Sequence, residues 1–194
     1  MVKYLMFCVC VAAGYVMYSS FPVSHGPGIT AQNEPKIDRL TWQEPFTFKG
    51  ATLEPKRIIE AEVRVLDKKR YFFDPFSRFS PSDLVVGWKE MSDERNISYI
   101  YHTLSERTFE SRFTKSPIEE TMIQKQSDLW HLIPSTSVID EKIKQLREGH
   151  IIKVRGLLVD VEYDAEFKFK TSEKLSDRPN RNGFVVWIED FEIR

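Results

Sequence analysis

A hydroxyl, a carboxylate and an imidazole are the groups from which a hydrolytic site is assembled, and Ser80, Asp83 and His131 are the best such set in this chain. Their surroundings point elsewhere. No nucleophile elbow or oxyanion loop accompanies Ser80. The string Ser80-Pro81-Ser82-Asp83 instead reads as a helix start: a capping hydroxyl, a proline at the first helical position and a carboxylate at the third. It predicts a short helix running to about Glu90. His131, between Trp130 and Leu132, reads as a partly buried histidine bonded to backbone. A binding or assembly module without catalysis is therefore the leading expectation, and a hydrolase-like enzyme using Ser80, Asp83 and His131 is the alternative.

Other chemistry is poorly supplied. His25, His102, His131 and His150 show neither HxxxH nor HxH spacing, and both cysteines, Cys8 and Cys10, fall in an apolar run, so no metal site and no cofactor are expected. The adjacent carboxylates Glu119 and Glu120, or Glu189 and Asp190, read as solvated charge. A ligand-binding surface has weak candidates in Phe167, Phe169 and Trp187 near Lys168, Lys170 and Arg181, the aromatic and basic mixture with which OB barrels hold single strands. The same residues at period two are what any barrel core needs, and core is the stronger reading. Trp88 and Met91, with Gly87 allowing close approach, read equally as buried bulk or as a docking patch.

The elements that must position these residues are mostly strands. Arg57 to Leu66 sets Ala61, Val63 and Val65 against Glu60, Glu62 and Arg64, the period of a half-buried strand with one wet face. Ile151 to Val161 puts Ile152, Val154 and Leu158 on one face, while the other changes from Lys153 and Arg155 to Leu157, Val159 and Val161. Gly156 sits at the change, where an interior glycine marks a bulge or bend. Phe167 and Phe169 read as a returning hairpin strand after a turn at Asp164, and Phe184 to Ile193 as a final strand. Ser137 and Asp140 start a helix from Val138 to Glu148 with Ile139, Ile143 and Leu146 on one face and Gly149 at its end. The pattern predicts an α+β, strand-rich domain with two short helices, either a partly open OB-like barrel or a plain sandwich.

Ahead of that domain, Tyr4 to Val23 is an uncharged run preceded by Lys3, about the 20 residues a membrane-crossing helix requires. Small residues at a cleavage position are badly placed, which disfavours removal as a signal peptide. A buried N-terminal helix is the competing reading. Residues 1–23 are thus expected to form an anchor, 24–39 a flexible tether rich in Gly and Pro, and 40–194 one extracytoplasmic domain. The chain carries 28 Lys and Arg against 29 Asp and Glu, and Lys3 is the one cation of the first 28 residues, so the domain is nearly neutral. Nucleic acid is not an expected partner of such a surface.

HGPG at His25 to Gly28, Asn33-Glu34-Pro35, SPSDLVVGWKEMSD at Ser80 to Asp93, HLIP at His131 to Pro134 and GHIIKVRGLLVDVE at Gly149 to Glu162 together resemble an uncharacterised family of bacterial membrane-anchored proteins. The likeness runs from the anchor almost to the end. It departs at Phe184, Val185 and Val186, where the family carries a cysteine. The resemblance implies bacterial origin and an anchored extracytoplasmic domain. With Lys3 retained inside, the expectation is a single-pass protein of the bacterial inner membrane with its C-terminal domain in the periplasm, and the anchor, the tether and the lack of catalytic spacing point to a protein partner in the envelope.

Overall fold

Two irregularities in one long strand shape the molecule. The computed structural model describes residues 3, 4, 6–11, 14, 21–164, 167–175 and 183–194. The strands are β1 Lys36–Arg39, β2 Phe46–Phe48, β3 Ala51–Arg70, β4 Ser82–Gly87, β5 Ile100–Ser105, β6 Thr108–Phe113, β7 Ser127–Pro134, β8 Ile151–Glu162, β9 Lys168–Phe169 and β10 Phe184–Ile193. The helices are short: α1 Glu94–Ile97, α2 Glu120–Lys125 and α3 Ser137–Gln145, with 3-10 turns at Pro75–Arg78 and Lys89–Ser92. The fold is strand-rich α+β, as the periodicities predict.

β3 bulges against β8 between Pro55 and Arg57, and again against β4 between Val65 and Asp67. Each extra residue bends the strand and flips its alternation. Ala51 and Leu53 accordingly face one cluster, and Ile59, Ala61, Val63 and Val65 another, although all six have odd numbers. The bent strand pairs with β8 along its first two thirds and with β4 along its last, so the path β3-β4-β7-β10-β8 returns to β3 and the sheet partly closes. β7 and β10 run parallel, and the remaining pairs of the circuit are antiparallel.

Inside the curve lie Val63, Leu84, Trp88, Trp130, Leu132, Ile152, Leu158, Phe184 and Val186, closed at one end by Ile139 and Ile143 of α3. The outer face carries two further clusters. Phe76, Phe79, Leu157, Val159 and Val161 lie beneath β2 and β9. Leu66, Val85, Met91 and Leu129 lie beneath α2 and the β5–β6 hairpin. β8 thus has one face in the interior and half of the other buried, as its sequence suggests. Gly156 marks the change because a Cβ there would lie 2.0 Å from the carbonyl oxygen of Trp187; the matching bulge is in β10, between Ile188 and Asp190.

α3 forms but stops at Gln145, short of the expected Glu148 and Gly149, and Thr136 is its cap, its hydroxyl accepting from Ile139 N–H at 3.3 Å. Its backbone turns extended at Leu146, with ψ of 142°, and Lys68 Nζ donates to the carbonyls of Ile143, Lys144 and Leu146 at 2.8–2.9 Å, satisfying the groups a helix end leaves free. Burial pulls the Lys68 ammonium down to about 8.

Three expectations are corrected. The helix from Ser80 to Glu90 does not exist: Ser82–Gly87 is β4, held between β3 and β7 with all six residues buried. Leu84-Val85-Val86 in a central strand outweighs the local cap pattern, since burying such side chains is worth about 1.5–3 kcal/mol each against about 1 for a cap. Arg64 is not on a wet face, being 2% exposed. The tether is docked, not free. Thr30 N–H, Ala31 N–H and Gly28 N–H donate to the side chains of Ser92 and Asp93, Ala31 is in the interior cluster, and β1 joins the sheet.

Among the described residues no helix is long and apolar enough to cross a membrane. The expected span falls partly outside them, at residues 5, 12–13 and 15–20. Its described part is helical at 3, 4, 6–11 and 14, and the helix does not extend to Phe21–Val23, where Pro22 lacks the N–H a helix needs.

Candidate functional site

Two polar junctions stand out, one at each end of the β5–β6 hairpin. At the turn, Glu106 and Arg107 both adopt left-handed backbone, with φ of 49° and 62°, the type I′ geometry that glycine or asparagine usually supplies. Arg107 is held there by its side chain. Its guanidinium takes Asp74 in two hydrogen bonds of 2.9 Å and Asp83 Oδ1 in one of 2.7 Å, and lies 3.8 Å from the centre of the Tyr71 ring. Asp74 also caps the 3-10 turn that follows it, accepting from Phe76 and Ser77 N–H.

Asp83 passes the line inward. As cross-strand partners on β4 and β7, Asp83 and His131 face the same way, and Asp83 Oδ1 lies 2.8 Å from His131 Nδ1. Two members of the expected trio therefore meet. The third does not join them: Ser80 Oγ reaches Ser82 O at a long 3.5 Å. All three residues are 0% exposed. The His131 ring is covered by Phe76 and Phe169, with ring centres 5.8 and 5.0 Å away. A nucleophile needs a path for substrate, and this one is sealed.

The aromatic candidates are likewise occupied by one another. Phe169 stacks on Phe76 at 4.2 Å and 7°, Phe167 packs beside Phe76 and Phe79, and Trp187 stands between Phe46 and Phe48. Lys168 is exposed and paired with Glu162 at 2.7 Å, and Lys170 is exposed; Arg181 lies outside the described residues. These side chains do not form an open stacking platform. Trp88 and Met91 are buried bulk, and Gly87 admits the 3-10 turn beside it, since a Cβ there would lie 2.6 Å from Met91 O.

The second junction was not foreseen. Glu94 accepts hydrogen bonds from Ser24 Oγ, the N–H groups of His25 and Gly26, and Arg64, the last at 2.7 Å. Burial pushes this carboxyl up, but the bonds from Arg64, His25 and Ser24 outweigh it and hold it at about 2. Arg64 also donates to the carbonyls of Ser92 and Val23. Hydrogen bonding from the neighbouring Arg95 holds Asp93 well below the carboxylate range. Val23 N–H reaches Glu148 O at 2.8 Å, and His25 Nε2 donates to Gly149 O. Gly149, at φ 89°, is required twice over: a Cβ would lie 1.9 Å from Val23 O.

Beside this junction opens a cleft of about 430 Å³, with Pro22, Val23, Leu66, Ile100 and Tyr101 among its walls and His102 set into it. Burial lowers His102 to about 4, leaving a neutral ring whose Nδ1 pairs with Ser111 Oγ at 3.0 Å. A larger groove of about 780 Å³ runs past Lys36, Arg39, Arg57 and Lys89, but Glu34 and Glu173 line it too and pair with Lys89 and Arg57. It presents no field of one sign. Among the described residues no three His, Cys, Asp or Glu side chains cluster as metal ligands. The adjacent carboxylates Glu119, Glu120, Glu189 and Asp190 are exposed.

The two junctions account for most of the sequence blocks singled out above. SPSD meets HLIP at the Asp83–His131 pair, and MSDE meets SHGPG and the start of GHIIKV at the Glu94 hub. Arg107 and Arg64, the cations of both, carry no motif. Their one sequence signal is a charged residue inside or between strand patterns. No family model, no curated protein and no solved structure matches the chain.

Proposed function

We propose that the protein is a membrane-tethered module of the bacterial envelope that binds or assembles and does not catalyse. The observation that carries the first half is the described start of the chain: Tyr4, Met6, Phe7, Val9 and Val11 are helical and each is more than half exposed, a set of large apolar side chains that only lipid or another protein would cover. The uncharged sequence from Tyr4 up to Phe21, ahead of Pro22, has roughly 17 residues, the lower end of what spans a bilayer as a helix. Lys3 on the inner side fits a periplasmic domain, and the likeness of the Ser80 to Asp93 block to bacterial anchored proteins fits the same address. The absence of catalysis is supported by the sealing of Ser80, Asp83 and His131.

The barrel itself is best read as OB type. Its circuit has the helix α3 between the third and fourth barrel strands, β7 and β8, and a parallel third and fifth, β7 and β10. The face that such barrels use for ligands is here filled by Phe76, Phe79, Phe167 and Phe169, which favours a protein partner elsewhere on the surface over a nucleic-acid strand.

The hydrolase reading keeps one favourable observation, the Asp83–His131 contact. Both readings are tested together. Full-length protein in native membranes should float with lipid on a density gradient and resist alkaline extraction, and Ser80→Ala should leave any ester or amide hydrolysis by the purified protein unchanged. Release into the alkaline supernatant would defeat the anchor, and Ser80-dependent turnover would defeat the non-catalytic reading.

A further inference from the structure

The point where the apolar run ends is not loose. Val23 is bonded to Glu148 O and Arg64, and the next three residues, Ser24, His25 and Gly26, all donate to Glu94. Hardly any slack remains between the run and the domain. Whatever surface surrounds Val23 must therefore face the bilayer if the run is inserted, because a chain segment spans at most about 3.5 Å per residue.

That surface has a suitable composition. Phe21 is 60% exposed, Tyr99 53% and Tyr101 69%. Tyr101 lines the same cleft as Pro22 and Val23, while the alternate residues Ile100 and Leu104 turn inward to the core. Directly across the hairpin from Tyr101 stands Arg112, whose side chain is exposed, with Glu110 two residues before it as its ion-pair partner. Tyrosines with an apolar body and a polar tip, flanked by a long cation, suit the headgroup layer.

We infer that this rim is a bilayer-contact surface: Phe21, Tyr99 and Tyr101 sit in the phospholipid headgroup layer, and the Glu94 hub clamps the domain on the membrane in one orientation. The occupant is lipid, chosen because the apolar run terminates at the cleft. The inference rests on the anchor reading above. It changes the mechanical picture of the protein, since a clamped domain presents the same face to the periplasm at all times, whereas a tethered one samples every orientation.

The test uses the full-length chain with Cys8 and Cys10 changed to Ser, reconstituted in phosphatidylcholine–phosphatidylglycerol vesicles. A nitroxide is attached at position 101 after Tyr101→Cys, or at position 73 after Phe73→Cys. Phe73 is fully exposed and lies one residue from Asp74, the partner of the hairpin turn, roughly 20 Å along β5–β6 from Tyr101. The position-101 label should be several-fold less accessible to an aqueous nickel complex than the position-73 label, and more accessible to oxygen. Equal accessibility at the two positions in vesicles that float with the protein overturns the clamp and leaves the anchor standing. Protein that does not float defeats the anchor reading itself. Glu94→Ala removes the hub without touching the apolar run; it should raise nickel accessibility at position 101 several-fold while flotation persists, and unchanged shielding would overturn the clamp.

Discussion

The two ends of the β5–β6 hairpin use the same chemistry for opposite purposes. At the turn, Arg107 joins Asp74, Asp83 and His131 within one body, with Asp83 and His131 fully buried and the histidine under aromatic cover. At the other end, Arg64 and Glu94 join that body to the segment following the apolar run, beside an open cleft. The difference teaches that a histidine and a carboxylate brought into contact are not a site until something leaves them accessible. A buried ion pair is equally able to serve as a rivet or as a joint, according to what it fastens.

The comparison breaks most sharply at the sealed end. Arg107→Leu leaves Asp83 buried without its cation and removes the anchor of a strained turn. It should cost about 3–5 kcal/mol in urea unfolding, and a loss under 1 kcal/mol would show the line to be no rivet. Asp128 offers a second probe, a carboxylate buried like Asp83 whose hydrogen bond comes from Leu129 N–H. Burial pushes it up to about 7 from an ordinary 3.8. The folded state then holds a proton that the unfolded chain has released between those values, so this group's contribution is full below pH 3.8 and is lost as pH rises to about 7. Asp128→Asn should gain on the wild type over that window by on the order of 4 kcal/mol; a constant difference between the two pH profiles would refute the assignment.

The joint should fail locally. Gly149→Ala collides with Val23 and strains a left-handed residue, costing about 1–3 kcal/mol, and limited proteolysis should cut near residues 21–31 before the large sheet opens. Cleavage that begins in the large sheet would contradict a separable joint. Ser80→Ala is the smallest expected effect, within about 1 kcal/mol, because a 3.5 Å contact is a poor hydrogen bond. A larger loss would mean that Ser80 has a task that this geometry does not reveal.

Much of the partly closed sheet was legible in the sequence. β8, the hairpin strand with Phe169 and the amphipathic face of α3 follow from period, and β10 from its apolar run after a polar loop, because each depends on local sequence. β4 was not legible, since Ser80-Pro81-Ser82-Asp83 carries helix-start chemistry and only the flanks of β3 and β7 make a strand of it. The strap was missed for a related reason. Gly26, Pro27 and Gly28 read as a tether in isolation, yet the N–H groups of Gly26 and Gly28 find carboxylates at Glu94 and Asp93, more than sixty residues away. Of the expected site residues, Asp83 and His131 were identifiable by type, but their shared register across β4 and β7 was not.

Local pattern by itself determined the strand periods, the neutral charge, the confinement of both cysteines to the apolar run and the amphipathic face of α3, because each depends on residues within a few positions of one another. The tertiary structure alone decided that β3 bends twice and closes the sheet, that Arg107 seals Asp83 and His131, and that Glu94 holds the chain as it leaves the apolar run. Those outcomes depend on charges and backbone groups far apart in sequence, whose desolvation is offset only when the fold brings their partners together.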